Sequence, residues 1–105
     1  MAWLVLAAAG AVEIAMALAL KQTDGWTKLW PSVAGIAAAL GSIFLLAHAV
    51  KSLPIGTAYA VWTGIGAVGV TLLGIAFFGE SSSPARLLCI GAIAGGIAGL
   101  HLLEA

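Results

Sequence analysis

Glu13 is the side chain in this sequence best placed to do chemistry. It is the one ionisable group within Ala2–Leu20, a run otherwise made of Ala, Leu, Val, Ile, Gly, Met and Trp. As a helix that run extends about 28 Å, at about 1.5 Å per residue, which matches the hydrocarbon thickness of a bilayer and puts Glu13 near its middle. A charge at that depth costs at least roughly 3 kcal/mol, so a carboxylate kept there is expected to hold and release protons or small cations. The structural alternative is a protonated carboxyl hydrogen-bonded in a helix interface.

Few other groups could join it. Gly10 and Ala17 share the helical face of Glu13 and leave room beside it. Tyr59, Trp62, Thr63 and Gly66 fall on one face of a later helix and offer a phenol, an indole and a hydroxyl to a small cation or to the carboxylate. Tyr59 and Trp62 could instead be anchors in the aromatic belt at the membrane surface. Ser42 lies in the middle of an apolar run, where its hydroxyl either bonds back to its own backbone or reaches a partner. Met16, three residues after Glu13, is expected to border or support the same site, or to fill space against lipid or another helix. His48 and His101 stand near helix ends without a spaced metal-ligating partner and read as interfacial. Cys89 is the single cysteine, so the chain holds no internal disulfide framework. No nucleophile stands with a base, and there is no phosphate loop or metal cluster. The residues point away from an enzyme and call for no metal or cofactor.

The elements that must position these groups are membrane helices. The chain has 105 residues, 63% hydrophobic and 8% charged, and its mean hydropathy is +1.17, far more apolar than a soluble domain. Four acids against four bases leave no basic surface for nucleic acid, so the bulk partner is membrane lipid. Ala7-Ala8-Ala9 imitates a signal-peptide cleavage site, but no Lys or Arg precedes the run and the apolar pattern continues to Leu20, as in a first membrane helix. The breaks at Gln22–Gly25, Lys51–Pro54 and Gly79–Pro84 divide the chain into one domain of four transmembrane helices, about 2–21, 31–50, 55–78 and 84–103. Trp26 and Trp30 flank Lys28 as headgroup anchors, and Pro31 suits a first helical turn. The glycines of helix three permit close contact and a bend around Gly64-Ile65-Gly66. On helix four, Gly91, Gly95 and Gly99 form a small-residue face built to pack on another helix, of a second copy or of the same chain.

Four helices enclose little, so a transporter of this size needs a second copy. Lys21, Lys28 and Arg86 fall on one side of the membrane, and the α-amino group and Lys51 on the other. So even a balance barely fixes orientation, which makes insertion both ways, and an antiparallel homodimer, plausible for one sequence.

The chain resembles the small multidrug resistance family from end to end. The resemblance rests on the four-helix length, on Gly10-Ala11-Val12-Glu13 and on Ala58-Tyr59-Ala60-Val61-Trp62-Thr63-Gly64-Ile65-Gly66. Lys51-Ser52-Leu53-Pro54-Ile55-Gly56-Thr57-Ala58-Tyr59 is similar to the guanidinium-exporter subtype in particular. The resemblance implies a proton-coupled antiporter of the bacterial inner membrane, acting as an antiparallel homodimer joined partly through helix four. It also implies one shared site in which Glu13 carries proton or cation, Ser42, Tyr59 and Trp62 line or brace it, and Gly10 lets helices approach. At Met16 the chain departs from the pattern: guanidinium exporters of the family typically carry Trp there and quaternary-ammonium exporters Gly. Substrate is what this departure opens. The expected cargo is guanidinium or a substituted guanidinyl cation such as guanylurea or a biguanide. The alternatives are quaternary ammonium cations, or a membrane subunit that transports nothing.

Overall fold

The computed structural model describes residues 1–104, which form α1 (Ala2–Gln22), α2 (Leu29–Ala49), α3 (Ile55–Phe77) and α4 (Pro84–Glu104). All four are long and apolar enough to cross a membrane, and no strand occurs among the described residues. Against the sequence expectation, α2 begins two residues earlier, at Leu29. Pro31 then sits in the first turn, where backbone N–H groups have no helical partner and its missing donor costs nothing. The other three helices begin where expected, and all four end within one residue of the expected position.

The connections set the helices side by side. Thr23 closes the first: its Oγ1 donates to the Leu20 carbonyl at 2.7 Å and accepts the Trp26 amide at 3.2 Å, while the amides of Thr27 and Lys28 return to its carbonyl. Asp24, Gly25 and Trp26 all adopt left-handed backbone, with φ of 50°, 70° and 72°. Between α3 and α4, Gly79 ends the helix at φ 67°. The loop beyond it is pinned by Arg86, whose guanidinium bonds the Glu80 carboxylate at 2.7 Å and the Ser81 carbonyl at 2.8 Å. Ser83 caps α4 by accepting the Arg86 amide, in the role its place before Pro84 suggests.

Within the bilayer, lipid competes for every apolar surface, so helices must be held by close approach rather than by the hydrophobic effect. Glycines supply that approach. Ile65 of α3 seats on Gly10 of α1, Ile14 of α1 on Gly69 of α3, and Ile97 of α4 on Gly64 of α3. Helix α3 itself runs unbroken from Ile55 to Phe77 through all of these contacts. α1 packs against both α2 and α3, whereas α4 packs chiefly on α3 and meets α1 where His101 lies against Trp3. A small core of Leu6, Ala49, Ala58 and Val61 lies where α1, the end of α2 and the start of α3 meet. The molecule is a slab of 42 × 35 × 17 Å, thinner than two full helix diameters, which are about 10–12 Å each. Large apolar side chains such as Leu40, Phe44, Leu72 and Leu88 point outward from it.

Candidate functional site

Helix α1 carries Glu13 into the seam with α3. There its carboxyl lies against Gly66: a Cβ on that glycine would stand 2.7 Å from Oε2 and 2.9 Å from Cδ. Oε2 is buried and has no hydrogen-bond partner. The residue as a whole is half-buried. A carboxylate oxygen withdrawn from water and left unbonded costs free energy until a proton or a donor reaches it, so this atom is where a ligand gains most.

Ser42 braces the turn beneath it. The Ser42 hydroxyl, 1% exposed, donates to the carbonyl of Ala9 at 2.7 Å and accepts the indole N–H of Trp62 at 2.8 Å. Helical geometry directs the amide of residue i to the carbonyl of residue i−4, so the Ala9 carbonyl is also the acceptor for the backbone of Glu13. One hydroxyl thus ties α3, through α2, to the turn of α1 that bears the carboxylate. Of the two options open to a mid-helix serine, reaching a partner is the one the fold adopts.

Tyr59 and Trp62 lie one turn apart on α3, ring centroids 5.6 Å apart and tilted by 57°. Gly66, where the carboxyl of Glu13 sits, is one turn further, so aromatic pair and carboxylate follow one stripe of the helix. Tyr59 is 57% exposed within the single chain, and Trp62 half-buried. Thr63 also bonds within its own helix. Its hydroxyl donates back to the Tyr59 carbonyl at 2.8 Å, so its hydrogen is committed within α3 and only its oxygen remains to accept. Met16 is half-buried one turn beyond Glu13.

Gly91, Gly95 and Gly99 are not brought to this site. The positions where their Cβ atoms would stand meet nothing within 4 Å, because α4 turns the opposite face, Ile93 and Ile97, toward α3. The glycine face is therefore unoccupied by the chain's own helices. His101 stacks edge-on against Trp3, centroids 4.6 Å apart.

Sequence reasoning placed Gly66 on the Tyr59–Trp62 face but did not see that it receives the Glu13 carboxyl, and it missed the Ala9 carbonyl altogether. The register between α1 and α3, which periodicity within either helix does not contain, decides both.

Four membrane spans on short connections, with one carboxylate buried between them, define a minimal multi-pass transporter. The chain belongs to the small multidrug resistance family: the family described as Small Multidrug Resistance protein matches residues 1–93. Among curated relatives, a protein of Citrobacter freundii named guanidinium exporter is 56% identical over 102 residues, covering 97% of each chain. One of the same name from Yersinia pseudotuberculosis is 55% identical over 97% of this chain and 98% of its own, and one from Salmonella typhimurium strain LT2 is 53% identical. The spans and these enterobacterial relatives make it a multi-pass protein of the bacterial inner membrane.

Proposed function

We propose that the protein is a proton-coupled antiporter that exports guanidinium or substituted guanidinyl cations, working as an antiparallel pair of identical chains around their Glu13 carboxyls. The observation that carries the reading is the buried, unbonded Oε2 of Glu13, the one acidic atom set within the apolar spans beside an aromatic pair. The names of the relatives supply the cation. Guanidinium is planar and presents N–H donors in pairs; a carboxylate accepts such a pair side by side, and the faces of Tyr59 and Trp62 suit the charge.

Exchange follows from charge. A Glu13 loaded with a proton or with a monovalent cation is neutral overall, whereas a bare carboxylate facing hydrocarbon costs at least roughly 3 kcal/mol. A site that turns from one membrane face to the other therefore does so far more readily when loaded. Because proton and cation need the same carboxyl group, one must leave before the other binds, and a proton gradient then drives cation export. The slab supplies half of a chamber, and the open glycine face of α4 provides the surface on which a second copy can pack. No step makes or breaks a covalent bond other than to a proton, as in a transporter rather than an enzyme.

The test is a cation panel on purified protein in liposomes, read as proton-coupled current. Guanidinium and guanylurea should give current, and Glu13→Gln should abolish both cation and proton movement. Coupled exchange retained by Glu13→Gln would refute the reading; currents with bulky quaternary ammonium ions but none with guanidinium would replace the substrate.

A further inference from the structure

We propose that Gly66 is a positioning residue: the space left by its missing side chain is the seat of the Glu13 carboxyl in its proton-loaded form, and this seat sets how strongly protons compete with the cation. The inference rests on the reading of Glu13 as the shared carrier of both.

Three observations support it. First, the fit is of the carboxyl itself, since a Cβ at Gly66 would stand 2.7 Å from Oε2, 2.9 Å from Cδ and 3.4 Å from Cγ. No side chain other than hydrogen leaves that position free. Second, the seat offers Oε2 no donor. An anionic oxygen held there is unsolvated and strongly disfavoured, while a neutral carboxyl loses far less, so the seat discriminates between the two forms by what it lacks. Once the proton leaves, the carboxylate is driven toward the open side of the half-buried residue, where a cation can meet it. Third, among the described residues no charged side chain is bonded to the carboxyl. On α1 the other titratable side chain is Lys21, eight residues away and set over the Phe78 ring; on α2 it is His48, in the last turn; on α3 it is Tyr59, turned to Trp62. None is hydrogen-bonded to Glu13 Oε2.

The other sockets of the α1–α3 seam behave differently. Gly10 receives Ile65 and Gly69 receives Ile14, both apolar. Gly66 alone in this seam receives a group that changes charge, which separates its role from packing and provides the control.

The experiment measures guanidinium affinity from pH 6 to pH 9 for the parent, Gly66→Ala and Gly69→Ala, in liposomes. In Gly66→Ala the methyl occupies the seat and keeps the carboxyl on the open side. The proton concentration that halves cation binding should rise about tenfold, with alkaline affinity within about threefold of the parent. Gly69→Ala should lower thermal stability and leave the pH profile in place. A Gly66→Ala protein whose activity falls equally at every pH has lost packing only, and that result overturns the proposal. Should Gly66→Ala fail to fold, infrared difference spectra of the parent decide. An acid-induced carboxyl C=O band at the high frequency of a carbonyl free of hydrogen bonds, absent from Glu13→Gln, supports the seat, and a band at the lower, hydrogen-bonded frequency overturns it. Proton-coupled exchange retained by Glu13→Gln would remove both this inference and the antiporter reading; its loss in Glu13→Gln, with an unmoved profile in Gly66→Ala, removes this one alone.

Discussion

Ser42→Ala should loosen the site without touching the carboxylate. The change removes the acceptor of the Trp62 indole N–H and one of the two donors to the Ala9 carbonyl. The two losses are unequal. Ala9 keeps the amide of Glu13 as a partner, whereas Trp62 Nε1 loses the acceptor its indole hydrogen has within the helices. Interhelical hydrogen bonds in membranes are worth about 0.6 kcal/mol on average and about 1.7 at most, so guanidinium affinity should fall about 3- to 16-fold. Trp62→Phe, which deletes the donor and keeps a ring, should cost a similar amount. Because both changes remove the same bond, the double variant should be little worse than the poorer single one, a coupling of at least about 0.5 kcal/mol. The four proteins would be compared by KM for guanidinium in proton-coupled currents. Losses that simply multiply would refute a connected Trp62–Ser42–Ala9 brace.

Further outcomes follow from the packing. Gly10→Ala places a Cβ 2.5 Å from Ile65 Cγ2 and 2.8 Å from its Cβ, and should destabilise by about 1–3 kcal/mol in thermal unfolding, with partial recovery on adding Ile65→Ala. A Cβ at Gly95 meets nothing within 4 Å, so Gly95→Leu projects from the open face; helix content should be unchanged while the dimer, read by cross-linking or energy transfer in liposomes, and cation export are both lost, and an intact dimer would count against the α4 contact. Met16→Trp replaces a flexible thioether with a rigid indole and should shift preference toward bare guanidinium over guanylurea by about fivefold, proton coupling retained; an unchanged ratio would remove this position from selectivity.

The helices were legible because hydropathy reports the solvent. Apolar runs of bilayer length, cut by Asp24-Gly25, Pro54 and Gly79, leave little freedom in where spans begin and end. Glu13 was legible for the same reason, as an expensive exception inside an apolar run. Ser42 was half legible: its hydroxyl needed a partner at that depth, but Ala9 and Trp62 lie 33 residues upstream and 20 downstream. Thr63 was half legible too: its oxygen type suggests a ligand and the oxygen can still accept one, while its hydrogen goes to the carbonyl one turn back along its own helix.

The glycines show most sharply what a one-dimensional pattern leaves open. Gly10, Gly64, Gly66 and Gly69 look alike in the sequence, each a small residue in a membrane helix, and each proves to be a socket for a larger side chain. Three of the sockets take isoleucine and one takes a carboxyl. The difference lies in how α1 is set against α3, and that register is held by the Ser42 hydroxyl at Ala9 and by Ile14 and Ile65 in the flanking sockets. Without it, Glu13 would have no fixed position opposite Gly66. The packing of this chain and the placement of Glu13 are thus a single interaction set, and substitutions within it should separate by pH dependence, which a purely apolar socket has no means to alter.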